Sequence, residues 1–218
     1  MKSRLLFWVL RVSLMLLPLV ALPGHATSTI LVFGDSLSAA YGLQTEQGWP
    51  ALLAQRLKTE QLPYQVVNAS VSGETTAGGL SRLSQAISQH KPQVMILALG
   101  ANDGLRGLPV DAMQQNLNSM LTLAKQNKIT VLLVGMRIPP NYGPQYTQAF
   151  HQVFPKLAQQ FNINLVPFLL ENVAGNPALN QDDGIHPTAQ AQPILLETVW
   201  AQLKKNTEEK RLKCTQIK

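Results

Sequence analysis

The sequence predicts an α/β fold, a three-layer α/β/α sandwich around a five-stranded parallel sheet with flavodoxin-like topology. Three observations carry this expectation. Short apolar runs alternate with longer mixed segments along the 218 residues, the β-α-β-α order of an α/β domain. The runs are rich in Val, Ile and Leu without polar alternation, as in a sheet covered on both faces. The length suits one domain with a full core, and no repeat, low-complexity tract or Pro/Gly/Ser-rich linker divides it.

Taken in order, residues 1–26 read as a segment outside that domain. Lys2 and Arg4 form a basic start, Val12 to Leu22 carries no charge, and Gly24-His25-Ala26 ends in a small residue. This is the pattern of a cleaved secretory signal, with an uncleaved anchor as the alternative. Arg11 interrupts the apolar stretch, which makes it a poor membrane span. No cysteine near the cleavage site supports a lipid anchor. The strands that follow are Thr29–Phe33, Gln65–Asn68, Val94–Leu99, Thr130–Val134 and Asn164–Val166. Between them, Trp49–Thr59, Ala77–Gln89, Val110–Gln126 and Gln145–Phe161 carry apolar residues at helical spacing. In the third of these, Leu117, Met120, Leu121 and Ala124 make one face. A last helix is expected from near His186-Pro187, where proline favours a first turn, to about Leu203. Right-handed crossovers limit the topology, and within that limit a flavodoxin-like strand order of 2-1-3-4-5 is expected. Residues 27–203 form the domain, and 204–218 a flexible, basic tail.

The formal charge of +6 sits at the ends of the chain. Lys2, Arg4 and Arg11 precede the domain, and 204–218 has six basic residues against Glu208 and Glu209. The remainder has nine basic and ten acidic residues, without the basic footprint that a nucleic-acid phosphate backbone requires. Cys214 is the only cysteine, so neither an internal disulfide nor a cysteine zinc site is expected. The four histidines lack metal-ligand spacing. No metal or cofactor is expected, and the chain is read as a monomer acting on a small molecule.

The chemistry lies in four blocks. Gly34-Asp35-Ser36-Leu37 follows the first strand directly and places Ser36 at its carboxyl end, where ligands bind in open α/β sheets. The loops after the second and third strands open on the same edge with Ser72-Gly73-Glu74 and Gly100-Ala101-Asn102-Asp103. Attack by Ser36 on an acyl carbon creates an oxyanion, and the backbone N–H groups of Ser36 and Gly73 with the Asn102 amide are the candidate donors. Glycine at 73 lets the backbone come close, and Asn102 has two N–H donors. Near the other end, Asp183-Gly184-Ile185-His186 supplies a base and an orienting carboxylate, which a serine hydroxyl needs at neutral pH. Each block alone reads equally as ordinary turn chemistry; their joint occurrence, in order and on one edge, does not.

With those residues in view, the chain resembles the SGNH-hydrolase family, also called GDSL esterases and lipases. Its four name-giving residues match Ser36, Gly73, Asn102 and His186. The strings GDSLSAAYGL, GWPALL, NASVSGETTAGG, LGANDGLRGLP and MRIPPNYGPQYTQAF are most similar to its branch of periplasmic multifunctional acyl-CoA thioesterases, lysophospholipases and arylesterases. The resemblance covers Thr29 to Leu203. It implies the SGNH-hydrolase topology, a Ser36–His186–Asp183 triad, and hydrolysis of acyl thioesters, aryl esters and lysophospholipids in the periplasm or outside the cell. Ala40 departs from the pattern, standing where glycine is expected. The string Gly34-Asp35-Ser36-Leu37-Ser38 is not the G-x-S-x-G elbow, which disfavours an α/β-hydrolase.

Secondary candidates rank lower. Asp35 is read as a turn stabiliser, Asp182 as the rival to Asp183, and His90 and His151 as solvated surface residues. Gly78-Gly79 is no phosphate loop, since no Lys-Ser/Thr follows. Two loops are expected to line an acyl site: Gly104–Pro109, with Gly104 and Leu105, and Met136–Tyr146, with Ile138, Pro139 and Tyr142 foremost. The competing functions are a carbohydrate O-acetylesterase of the same superfamily, which calls for a more polar groove, and a non-catalytic periplasmic binding protein. The latter is expected to lose Ser36, Asn102 or His186, and all three are present.

Overall fold

The computed structural model describes residues 27–215, so the expected signal segment lies outside the described residues. Strands β1 (Ser28–Gly34), β2 (Tyr64–Asn68), β3 (Val94–Ala98), β4 (Thr130–Val134) and β5 (Asn164–Val166) form one sheet in the order β2-β1-β3-β4-β5. Every pairing is parallel, as the apolar runs predict. β3 is buried throughout, and β1 from Thr29 onward. A central strand covered on both faces has no solvent side, hence its unbroken hydrophobicity. The edge strand β2 is the more exposed, which accommodates Gln65 and Asn68.

Six α-helices cover the sheet: α1 (Trp49–Thr59), α2 (Thr76–His90), α3 (Ala101–Leu105), α4 (Val110–Gln126), α5 (Pro144–Phe161) and α6 (Gln192–Thr215). α1 packs on α6, while α4 packs between α2 and α5, giving the two outer layers. The face of α4 read from its spacing is the buried one, joined by Met113. Phe33, Trp49, Phe150 and Phe154 are fully buried between the layers. A buried side chain also joins the first and last helices. Gln192 Oε1 accepts the Trp49 N–H at 2.9 Å, satisfying one of the donors that a helix start leaves without an internal partner.

Two elements differ from the expectation. The last helix starts at Gln192 rather than near His186, and its backbone continues to Thr215. Pro187 does not open a helix because its segment folds back on itself. Asn180 and Pro187 form an antiparallel bridge, Gln181 N–H donates to the His186 carbonyl at 2.7 Å, and Thr188 N–H to Leu179 at 2.9 Å. The second difference is α3, five residues long and too short for a periodic signal. It begins after Gly100, whose φ of +119° is open to glycine alone.

The sheet register aligns the functional loops. Val32 is level with both Asn68 and Ile96, so the loops after β1, β2 and β3 leave the sheet along one carboxyl edge.

Candidate active site

The turn after β1 holds Ser36. Asp35, only 1% exposed, accepts the Leu37 N–H on its side chain at 3.0 Å, while its carbonyl accepts from Ser38 and Ala39. Asp35 is thus a turn stabiliser, as read from sequence, and burial pushes its carboxyl up to about 7. The backbone N–H groups of Leu37 and of Asp35 itself lower that value less than desolvation raises it. The nearby Glu74 and Asp103 add to the rise.

His186 reaches this serine across 150 residues. Its Nε2 lies 2.9 Å from Ser36 Oγ, and its Nδ1 lies 2.6 Å from Asp183 Oδ2. The other carboxylate oxygen, Asp183 Oδ1, accepts the backbone N–H groups of Ile185 at 2.9 Å and His186 at 3.0 Å. One aspartate therefore shapes the turn and fixes the ring that follows it. Those bonds hold its carboxyl low, at about 2, with the His186 N–H foremost, then the His186 ring and the Ile185 N–H. Gly184, at φ +68°, permits the tight return. Both His186 nitrogens are engaged, by Ser36 and Asp183, and Asp182 has no place on the ring.

Asn102 and Gly73 come together through α3. Asn102 Nδ2 donates to the Glu74 carbonyl at 3.0 Å and approaches Asp35 Oδ2 at 3.5 Å. Gly73 has a φ of +77°, and its carbonyl accepts from Arg106 Nη2 at 2.8 Å. A third tie was not read from the sequence. Asp103, 3% exposed, accepts both the backbone N–H of Thr76 at 2.8 Å and its hydroxyl at 2.6 Å. Asn102, Asp103 and Arg106 thus grip residues 73–76 at three points. Glu74 is in turn paired with Arg82, whose Nε lies 2.7 Å from Glu74 Oε1 and whose guanidinium covers the Phe33 ring. These ties are long-range in sequence, and only the Asp adjoining Asn102 hinted at them.

Two further neighbours of the base also escaped the sequence. The Tyr41 ring lies 4.3 Å from that of His186, tilted by 34°. Gln181 Nε2 donates to the carbonyls of Tyr41 and Pro187, binding the β1 loop to the histidine turn. His90 and His151 are each half-buried rather than solvated, and neither lines the cleft described next.

A cleft of about 600 Å³ opens beside the serine, lined by Ser36, Asn102 and His186 together with a largely apolar wall. Of the predicted acyl-site residues, Leu105, Ile138 and Pro139 line it. Gly104 and Tyr142 do not, and each stands behind the wall for a physical reason. A Cβ at Gly104 would lie 2.6 Å from both Ile138 Cγ2 and the Phe150 ring, so glycine there lets the wall pack onto α3. The Tyr142 hydroxyl donates to the Leu105 carbonyl at 2.7 Å, and Tyr146 to Leu108 at 2.6 Å; the two phenols stitch the loops together. Met136, Phe168 and Leu170 complete the wall. The last two follow β5 at the same edge, an apolar run that the sequence reading passed over. A second cavity, of about 590 Å³, lies at the opposite edge among Lys91, Gln93 and Lys128, away from these groups and from the edge where open sheets bind ligands.

A hydroxyl, an imidazole and a carboxylate in this sequence of contacts can transfer an acyl group. The model of the "GDSL-like Lipase/Acylhydrolase family" matches residues 32–193, a span that contains all three. The chain belongs to this family. Its relatives include "Esterase TesA" of Pseudomonas aeruginosa, 52% identical over 82% of this chain and 89% of that one. "Thioesterase 1/protease 1/lysophospholipase L1" of Escherichia coli K12 is 41% identical, over 86% of this chain and 88% of its own. Among solved structures, esterase EstA from Pseudoalteromonas sp., inhibited by monoethylphosphonate, superposes with a TM-score of 0.80. It is 41% identical and covers 83% of this chain and 99% of its own. The matched span of this chain holds Ser36, Gly73, Asn102, Asp183 and His186, and the sheet carries them to one edge.

Proposed function

We propose that the protein is a serine hydrolase that cleaves acyl esters and thioesters through an acyl-enzyme on Ser36. The observation that carries this reading is His186 bridging Ser36 Oγ and Asp183 within hydrogen-bond distance on both sides. Ser36 Oγ attacks the acyl carbon while its proton passes to His186 Nε2, and Asp183 holds the Nδ1–H and stabilises the imidazolium. The oxyanion is met by the Asn102 amide and the backbone N–H groups of Ser36 and Gly73. As the tetrahedral intermediate collapses, His186 returns the proton to the departing alcohol or thiol. Water, deprotonated by the same imidazole, then releases the carboxylic acid and restores Ser36.

Relatives named as an esterase and as a thioesterase and lysophospholipase support the substrate class. The apolar wall suits a fatty or aromatic acyl chain, as in fatty acyl-CoA, aryl esters and lysophospholipids, better than an acetylated sugar. Residues 1–26 are read as a cleaved signal that delivers the domain to the periplasm or beyond. Among the described residues no helix is long and apolar enough to cross a membrane.

Steady-state kinetics of Ser36→Ala on a short acyl ester and an acyl thioester test the reading. A loss on the order of 10³-fold or more in kcat is expected on both, with the folded state intact by circular dichroism. Retained turnover on either substrate would place the chemistry elsewhere.

A further inference from the structure

Among the described residues, the exposed large hydrophobic side chains are Tyr41, Val71, Leu108 and Ile185, each between 37% and 50% exposed. Their placement is one-sided. Tyr41 is on the loop after β1, Val71 on the loop after β2, Leu108 on the loop between α3 and α4, and Ile185 on the turn before His186. All four belong to the carboxyl edge of the sheet, and the outer faces of α1, α2, α4 and α5 carry none. Single exposed apolar residues are ordinary. Four from four separate segments, gathered on the edge that holds the cleft, are not explained by folding. The Tyr41 ring lies 4.3 Å from the His186 ring, tilted against it, and Ile185 adjoins it, so the apolar rim reaches the catalytic base itself.

We infer that this rim docks the protein on the surface of a zwitterionic lipid aggregate, with the cleft facing the lipid. Size argues for lipid over a protein partner. A stable protein interface buries about 800 Å² per partner, and four partly exposed side chains fall well short, whereas shallow insertion of a few apolar groups suffices for reversible contact with a lipid surface. Charge selects the class of lipid. On the same edge the exposed Arg106 and Arg137 are outnumbered by Glu46, Asp111, Asp182 and Asp183, a balance that repels an anionic surface and tolerates a zwitterionic one. An amphiphilic ester would then pass from the aggregate into the cleft with its acyl chain never crossing open water. The inference rests on the hydrolase reading for its substrate, not for the surface.

The test compares the full chain with its Val71→Ser/Leu108→Ser variant, which changes two side chains that do not line the cleft and leaves Tyr41 and Ile185, the neighbours of His186, untouched. Both carry the same N-terminal segment, so the difference between them isolates the rim. In flotation with phosphatidylcholine vesicles, the bound fraction should fall at least threefold in the variant. Its rate on micellar lysophosphatidylcholine should fall by a similar factor, with the rate on water-soluble p-nitrophenyl acetate within twofold of wild type. Equal flotation of the two proteins would overturn the inference, as would equal losses on both substrates. Stronger flotation with phosphatidylglycerol vesicles would contradict the lipid class. A dimer in sedimentation that the variant dissociates would assign the rim to a second copy of the chain. If the wild type cleaved no soluble ester, the hydrolase reading would fail, and flotation would still decide the surface.

Discussion

At the scale of the residue, Asp183 performs two tasks that are usually divided. Its Oδ1 closes the turn by accepting two backbone N–H groups, and its Oδ2 orients the imidazole. Asp183→Asn should therefore lower kcat by about 10²–10⁴-fold through loss of tautomer control. Asp182→Asn, whose carboxylate has no ring nitrogen to meet, should stay within a few-fold; steady-state kinetics of the pair checks this. Since the Asp183 carboxyl is held at about 2, it stays ionised until the pH falls through that value. Loss of activity on mild acidification is thus not the protonation of Asp183. Asp35 has the opposite sign. Its carboxyl is raised to about 7 in the folded protein from an ordinary 3.8, so the native state takes up a proton that the unfolded chain has lost. Its contribution is fully present below about pH 4 and is lost as the pH rises toward 7. Asp35→Asn, which keeps the acceptor for Leu37, should remove that slope. Denaturant titrations should show the variant gaining on wild type by an order of 1–4 kcal/mol between pH 4 and pH 8; parallel stability curves would refute the burial argument. Ala40 shows how a residue can be legible as an anomaly and not as a cause. The family pattern leads one to expect glycine there, and the backbone does turn left-handed, at φ +58°, which costs a side chain about 1–2 kcal/mol. The methyl is accommodated because it faces Gly48, where a Cβ would stand 2.8 Å away.

At the scale of the element, the five strands and four of the helices were legible because each is a central or half-buried segment with a long apolar signal. α3 was not, since five residues leave no period to read, yet it carries Asn102 and Asp103, and at its C-cap Arg106, to residues 73–76. The start of α6 was misread because proline in a first helical turn and proline in a fold-back look alike until the bridge to Asn180 is seen. The cleft wall was half legible. The loop after β4 was found, and Leu105, Ile138 and Pro139 line the cleft. Gly104 and Tyr142 lie in the right loops, but contact with the ligand space depends on which way each residue faces. Phe168 and Leu170, from the loop after β5, belong to that wall instead. Shortening Leu105 and Phe168 to alanine should flatten the dependence of kcat/KM on acyl length. Each methylene buried in an apolar site is worth about 0.8 kcal/mol, roughly fourfold in affinity. Acetyl substrates should remain within a few-fold of wild type, and equal losses on acetyl and long-chain esters would show that these side chains support the fold instead.

At the scale of the whole molecule, the sheet is the device that turns distant sequence blocks into one site. Ser36 and His186 are 150 residues apart, and neither local propensity nor periodicity links them; the link is that strand ends and the fold-back before α6 share an edge. The flavodoxin-like strand order expected within the limits of crossover handedness is the one observed, and with it comes the meeting of blocks one, two and three. The Tyr41–His186 ring contact, the Gln181 brace and the Asp103–Thr76 tie were not expected, because each depends on side-chain reach across elements. The proposed reaction depends on a single nucleophile served by a single base. Peptide-mapping mass spectrometry after treatment with diethyl p-nitrophenyl phosphate tests this most directly. One adduct is predicted, on Ser36, with none on Ser36→Ala and formation slowed at least 10³-fold in His186→Ala. An adduct on another serine, or labelling of Ser36 at an unchanged rate without His186, would contradict it.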